Sequence, residues 1–419
     1  MTGLAPQAGA SLRLPGEHFA AGVAFLVAGS AGLVWVAPEL SRGLYQSPHV
    51  AGVTHLFTLG WLTTTIFGAL YQLLPVALGA SVRSERLGHV GFWCFVPGVA
   101  LFAPGVMRES VLLHHAGLCG IAIGLTCAIT NIVLSLPRAT AHDVVWHAVG
   151  LALAFLCATF GLGVALVHNL HTAFLGDFRV TMVAIHLHVA IVGWVLLMIA
   201  GVSRRLLPMF LLSHGVNPRL SSVSVGLLAL GLPVLVWGLA TRLDMAAWAG
   251  LLLLEGGVVA FIAQGARHLL ARKRPVLDAG LRHVRAGLVL LAVAAALAPF
   301  VLRSGALHPR LAITYVFTGL VGGIGVIVIG LQYKVVPFLA WVARYRDRMG
   351  REQVPVVAQL TSPRAGRTGL WLAVSGVAML DGGVALAREH VAHVGAALFL
   401  LATLTFAAQL RRAAWGRIA

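Results

Sequence analysis

The chain has 419 residues, of which 59% are hydrophobic and only 10% are charged, and its mean hydropathy is +0.91. This composition excludes an ordinary soluble globular protein, in which roughly a quarter of the residues are charged. The formal net charge of +17 would suit a nucleic-acid partner in a soluble protein. Here the Lys and Arg residues fall between the apolar runs, so we predict no nucleic-acid partner.

Apolar runs of roughly 20 residues recur along the chain, and each is long enough to cross the hydrocarbon core of a bilayer as an α-helix. We therefore predict an all-α membrane protein that forms a single transmembrane domain over residues 1–419, with the lipid bilayer as its surroundings. The twelve predicted spans cover residues 18–37, 52–78, 90–107, 112–136, 145–167, 181–204, 220–240, 246–270, 281–302, 309–337, 368–386 and 390–411.

The basic residues predict the orientation of these spans. Most of the 30 Lys and Arg residues lie in the two termini and in the loops after the even-numbered spans. By the positive-inside rule, both termini are cytoplasmic. We expect a multi-pass protein of the bacterial inner membrane, in which the longest loop, residues 338–366, is a cytoplasmic connector.

Two spans share the spacing H-x4-GW-x6-G-x6-P, which begins at His55 in the second span and at His188 in the sixth. The tenth span keeps Gly330 and Pro337 in register but has Phe317 at the histidine position. Because the copies lie four spans apart, we predict three pseudo-symmetric four-helix units. We expect the glycines to admit a neighbouring helix or a flat ligand and the proline to end the helix. The predicted units cover approximately residues 18–136, 145–270 and 281–411.

The 18 histidines are concentrated at the predicted non-cytoplasmic ends of the spans. A lone histidine at such a place is usually a hydrogen-bonded structural residue. Several at one membrane depth favour a shared site, because ionisable groups there usually face the bundle interior and serve a function. The candidate metal ligands are His55, His114, His115, His168, His171, His186 and His188.

Helical geometry sorts these candidates. His186 and His188 project about 200° apart, so they point into different compartments. His168 and His171 share one helix face, which suits two ligands of one small ion. The adjacent pair that begins at His114 diverges by about 100°, so we expect only one of its two rings to point at any given site.

His55 and His188 occupy the same position of the repeat, and two imidazoles from facing helices are what a six-coordinate haem requires. We therefore predict that these two residues are haem ligands. Trp61 and Trp194 lie about a turn and a half further along each helix. They either pack against the macrocycle or serve as ordinary packing residues, and the sequence leaves both alternatives open.

Twelve spans in three units, with histidines at the ends of even-numbered spans, resemble subunit I of the haem–copper oxidase superfamily, which includes terminal oxidases and nitric oxide reductases. His55 matches the histidine on the second helix that ligates the low-spin haem in that family. The sequence around His186 and His188 is similar to the family's H-x-H motif, although the family places that motif on the tenth helix. Here the tenth span has Tyr315 and Phe317, and the seventh has no histidine for copper, so a standard oxidase site is not carried over.

The segment PMFLLSHGVNP at residues 208–218 is similar to the NnrS family of haem- and copper-containing membrane proteins that respond to nitric oxide. These resemblances imply haem b as a cofactor and copper as a candidate second metal. The second site would use His186, one of His114 and His115, and the pair His168 and His171. The resemblances also imply an electron-donor cytochrome or quinol and partner subunits.

The leading hypothesis is a haem-binding or haem–copper membrane redox protein that handles electrons or a diatomic gas such as NO or O2. If it is an enzyme, it is an oxidoreductase of the oxidase or nitric oxide reductase class, and no catalytic residue is predicted. The alternative is a metal-ion or proton-coupled transporter, because internal repeats are common in transporters as well. A third hypothesis is a structural subunit of a respiratory complex with degenerate sites.

Overall fold

The computed structural model describes residues 12–304 and 308–416. Within these ranges the chain is mostly helical, and twelve helices are long and apolar enough to span a membrane. The protein is therefore an all-α, multi-pass membrane protein, which confirms the predicted fold class. The helices are α1 (Arg13–Ser41), α2 (Pro48–Leu78), α3 (Glu85–Met107), α4 (Val111–Arg138), α5 (Val144–Thr172), α6 (Phe178–Leu211), α7 (Arg219–Thr241), α8 (Asp244–Leu270), α9 (Ala279–Ser304), α10 (Pro309–Arg348), α11 (Pro363–Ala385) and α12 (Glu389–Trp415).

Most helices extend a few residues beyond the predicted spans, because capping side chains rather than hydropathy determine where they begin. α3 begins five residues before the predicted span, where the Ser84 hydroxyl accepts a hydrogen bond from the Leu87 N–H at 3.1 Å. α5 begins after Asp143, whose carboxylate accepts from the Val145 N–H at 2.9 Å. Each cap satisfies an N–H group that the first turn of the helix leaves unbonded.

The loop between α10 and α11 is shorter than the predicted connector 338–366. α10 continues to Arg348, and α11 begins at Pro363. The Trp341 indole N–H donates to a loop carbonyl at 2.5 Å, and the Arg344 guanidinium donates to three carbonyl groups at the end of α12 at 2.9 to 3.4 Å. These bonds hold the end of α10 against the neighbouring backbone, so the helix runs well past its last apolar stretch.

The prediction that the repeated proline ends its helix is wrong. Pro75, Pro208 and Pro337 all lie inside helices. A proline removes one N–H donor and crowds the preceding turn, yet α2 and α6 each continue for three residues. They stop at residues in the left-handed conformation, Gly79 with φ 64° and Leu212 with φ 52°.

A π-helical segment interrupts three of the helices. The segments are Leu56–Thr63 in α2, Val189–Leu196 in α6 and Thr318–Gly325 in α10. Each begins directly after the first position of the repeated pattern, which is histidine in α2 and α6 and phenylalanine in α10. π segments are rare and often mark functional sites. Their recurrence at the same position of the pattern makes these three places candidates for a function.

The second glycine of the pattern, which lies between the tryptophan and the proline positions, packs against the preceding helix in α2, α6 and α10. A Cβ atom on this glycine would lie 2.3 to 3.0 Å from the Cβ of the facing residue, which is closer than almost all Cβ contacts. The expectation that this glycine admits a neighbouring helix is therefore confirmed. The facing pairs are Gly68 with His18, Gly201 with Ala148 and Gly330 with His283.

Three antiparallel helix pairs, α3 with α4, α7 with α8 and α11 with α12, also share one packing arrangement. A Cβ atom added to one glycine near the turn of each pair would lie 2.2 to 2.4 Å from a backbone nitrogen of the partner helix. Each turn contains one residue in the left-handed conformation, with φ between 52° and 58°. The contacts are Gly105 with His114, Gly238 with Ala247 and Gly383 with Ala392, and the left-handed residues are Glu109, Arg242 and Ala387.

By internal packing, the chain divides into two compact units. The first comprises Met1–Ala139, Val276–Gly287 and Pro309–Ala419, and the second comprises Thr140–Pro275 and Leu288–His308. His55 belongs to the first unit and His188 to the second. The boundaries of the three predicted four-helix units stay a prediction.

Candidate functional site

His55 is the last residue of the α-helical part of α2, directly before the π segment, and is half-buried. Its Nδ1 lies 2.7 Å from the Ala51 carbonyl oxygen. Because a carbonyl only accepts, Nδ1 carries the proton, and the lone pair of the neutral ring is on Nε2. The ring contacts Phe102 of α3 in an edge-on arrangement, with 5.2 Å between the ring centroids.

His188 has the same arrangement in the second compact unit. It is half-buried and directly precedes the π segment of α6, and its Nδ1 donates to the Ala184 carbonyl at 2.8 Å. Its Nε2 is therefore the nitrogen that can bind a metal. A ligating histidine usually has its other nitrogen held in this way by a carbonyl or carboxylate, which fixes the tautomer and the ring orientation.

The hydrogen bond from Nδ1 to a carbonyl four residues earlier does not by itself identify a ligand. In the described part of the chain at least four other histidines make the same bond, at 2.8 to 2.9 Å. What is particular to His55 and His188 is the combination of this bond with an equivalent repeat position and a following π segment. These other histidines include His18, His115, His147 and His283.

The remaining candidate in α6, His186, lies against α5. A Cβ on Gly163 would approach the Cε1 atom of His186 to 3.3 Å, so the glycine makes room for this ring. At the end of α5, His168 and His171 are both exposed. The His168 ring contacts Phe174 at 5.5 Å between centroids.

The adjacent histidines at the start of α4 differ in burial. His114 is buried and His115 is exposed, as their divergence around the helix predicts. Their rings nevertheless lie against each other, with centroids 4.5 Å apart and planes tilted by 36°. The two imidazoles therefore form one small group within the first compact unit.

Trp61 is fully buried in the first compact unit. Its indole N–H donates to the Gln332 amide oxygen at 3.2 Å, and the Gln332 amide N–H donates to the Thr65 hydroxyl at 3.3 Å. A Cβ on Gly325 would lie 3.2 Å from the Trp61 ring. These contacts join α2 to α10, and they favour the packing alternative for Trp61. Trp194 is likewise almost fully buried in the second unit.

The glycine directly before each tryptophan faces an aromatic ring of the preceding helix. A Cβ on Gly60 would lie 2.6 Å from the Phe25 ring, and one on Gly193 would lie 2.7 Å from the Phe155 ring. The space that we expected a neighbouring helix or a flat ligand to use at these glycines is therefore occupied by a protein side chain.

Replacing Gln332 with Met is expected to destabilise the protein. The change removes both the acceptor for the buried Trp61 N–H and the donor to Thr65, and an unsatisfied buried donor costs about 1–3 kcal/mol. We expect a lower unfolding temperature for the purified variant in detergent. Adding Thr65→Val should lower the stability little further, because the hydrogen bond from the Gln332 amide to the Thr65 hydroxyl is already absent. An unchanged unfolding temperature for Gln332→Met would contradict this assignment.

A polar contact between α10 and α11 was not predicted from the sequence. The Thr318 hydroxyl donates to the Asp381 carboxylate at 2.6 Å. The only available signal was an acidic residue within an apolar span. Its partner lies 63 residues away in the chain, so no local spacing reveals the pair.

No family model and no curated protein matches the chain. The resemblance to the haem–copper oxidase superfamily and to the NnrS family therefore depends on the residues quoted above.

Proposed function

We propose that this membrane protein binds haem b, that the Nε2 atoms of His55 and His188 are haem ligands, and that the protein uses haem to handle electrons or a diatomic gas such as NO or O2. The observation that carries the proposal is the repetition of one local arrangement. In both places a half-buried histidine donates Nδ1–H to a carbonyl and directly precedes a π segment.

The chemistry of these donors fits haem. A neutral imidazole is a common axial ligand of haem iron. The carbonyl bond to Nδ1 fixes the tautomer and makes Nε2 a better donor. The role of the protein is to hold each imidazole in one orientation and to keep it partly out of water. Haem, when bound, supplies a one-electron redox centre.

Copper is a further part of the proposal. Imidazole suits copper as well as iron, and further candidate histidines remain in each compact unit. In the first unit, the rings of His114 and His115 lie together. In the second, His186 lies against α5, and His168 and His171 lie at the end of that helix. An electron-donor cytochrome or quinol and a location in the bacterial inner membrane, with both termini in the cytoplasm, complete the proposal.

The absorption spectrum of the purified protein tests the proposal. We expect a Soret band, a pyridine haemochrome of the b type and iron in stoichiometric amount by metal analysis. Copper in the same analysis would support the haem–copper form. A colourless protein without iron would overturn the proposal. If it also bound copper or zinc, that result would favour the metal-transporter alternative.

A further inference from the structure

The third copy of the repeat lacks the histidine of the first two copies and has a pair of polar residues beside that position. Phe317 occupies the histidine position, and the next residue, Thr318, bonds to Asp381 of α11. Asp381 lies two residues before Gly383, and the corresponding residues before Gly105 of α3 and Gly238 of α7 are Ala103 and Val236. The carboxylate is therefore a feature of the third copy alone.

One oxygen of this carboxylate has no hydrogen-bond partner among the residues that the structure describes. Asp381 Oδ2 accepts from the Thr318 hydroxyl, whereas Oδ1 is buried without a hydrogen-bond partner in the described part of the chain. An intramembrane carboxylate is costly and usually serves a function. A buried acceptor without a partner adds to this cost. Both observations indicate that a group other than the described side chains completes the environment of Asp381.

A second unpartnered oxygen lies on the same helix face. Thr314 precedes Thr318 by one turn, so their side chains project in the same direction. Its hydroxyl is buried and has no hydrogen-bond partner among the described residues. Other helical threonines of this chain, such as Thr58 and Thr126, donate to the carbonyl four residues earlier at 2.8 to 3.0 Å. Thr314 thus lacks the bond that a threonine in an apolar helix ordinarily makes.

The chemistry of this group favours one small monovalent cation. Carboxylate and hydroxyl oxygens are hard ligands that suit alkali and alkaline-earth ions rather than copper or zinc. A single carboxylate charge is neutralised by one positive charge, whereas a divalent ion would leave a net charge in an apolar span. Thr318 also begins a π segment, and π segments inside α-helices occur frequently at functional sites.

We propose that Thr314, Thr318 and Asp381 form a binding site for one sodium ion within the first compact unit. The site is distinct from the histidine positions, so haem binding and sodium binding can be tested separately.

Binding of radioactive sodium to the purified full-length protein, measured by scintillation proximity in a choline chloride buffer, tests this proposal. We expect saturable binding of about one sodium ion per chain. Asp381→Asn should abolish it, because the variant keeps the shape but removes the charge. Thr314→Val should weaken it by about tenfold, since it removes one oxygen ligand.

Thr126→Val is the matched control, because the Thr126 hydroxyl is exposed and bonded to its own helix. It should bind sodium like the unmodified protein. Absence of saturable binding in the unmodified protein would overturn the proposal, as would equal binding by Asp381→Asn. Thr314→Val keeps the Asp381 charge and the shape of the threonine side chain, so it tests the site even if Asp381→Asn fails to fold. Unweakened sodium binding by Thr314→Val would then overturn the proposal. Haem absorbance should not change in any of these variants.

Discussion

His55→Ala and His188→Ala are each expected to lower the haem content of the purified protein by about tenfold or more. Each change removes the proposed Nε2 ligand, and replacing even an outer-shell partner of a metal ligand typically costs 10–100-fold in affinity. The pyridine haemochrome assay, normalised to protein, measures the effect. The helices should remain intact, because neither side chain is fully buried.

His147→Ala is the matched control for these two variants. His147 is exposed and makes the same Nδ1 bond, to the Asp143 carbonyl at 2.9 Å, but it does not precede a π segment. It should retain full haem content. Loss of haem in only one of the two test variants would exclude the other histidine as a ligand. Unchanged haem in both would contradict the ligand assignment.

Gly250→Ala is expected to destabilise the protein severely. Gly250 lies where α8 touches α7, and a Cβ there would lie 2.2 Å from the Leu235 backbone nitrogen. Because the obstructing atoms belong to the backbone, the two helices must separate. Overpacking of this kind costs about 1–3 kcal/mol and occasionally more. We expect a strongly lowered unfolding temperature and little monodisperse protein by size-exclusion chromatography.

Gly226→Ala in the adjoining α7 is the control for this prediction, because no atom of the described residues lies within 4 Å of its Cβ position. The added methyl group should leave stability unchanged or raise it slightly, since glycine inside a helix costs about 0.5–1 kcal/mol relative to alanine. If the two variants unfolded at the same temperature, the close contact between α7 and α8 would be refuted.

The transmembrane helices were predictable because bilayer thickness imposes a length of apolar sequence that can be counted directly. The ends of the helices were less predictable, since capping residues such as Ser84 lie outside the apolar run. The extension of α10 depends on bonds from Trp341 and Arg344 to distant carbonyls, which no local pattern reveals. The π segments were not predicted either, because an apolar sequence does not distinguish α-helical hydrogen bonds from π-helical ones.

The candidate site was partly predictable. The shared spacing identified His55 and His188, but their tautomers became clear only from the bonds to the Ala51 and Ala184 carbonyls. The sequence left two alternatives for Trp61, and its bond to Gln332, which is 271 residues distant, favours packing. Long separation likewise concealed the pair formed by Thr318 and Asp381. Spacing therefore predicts equivalent positions, whereas contacts between distant helices require the fold.

The electron paramagnetic resonance spectrum of the oxidised, purified protein tests the central claim most directly. Imidazole ligation through His55 and His188 predicts the signal of low-spin ferric haem, in an amount that matches the iron content. A spectrum without haem iron would contradict the account, as would an identical low-spin signal after both histidines are replaced with alanine.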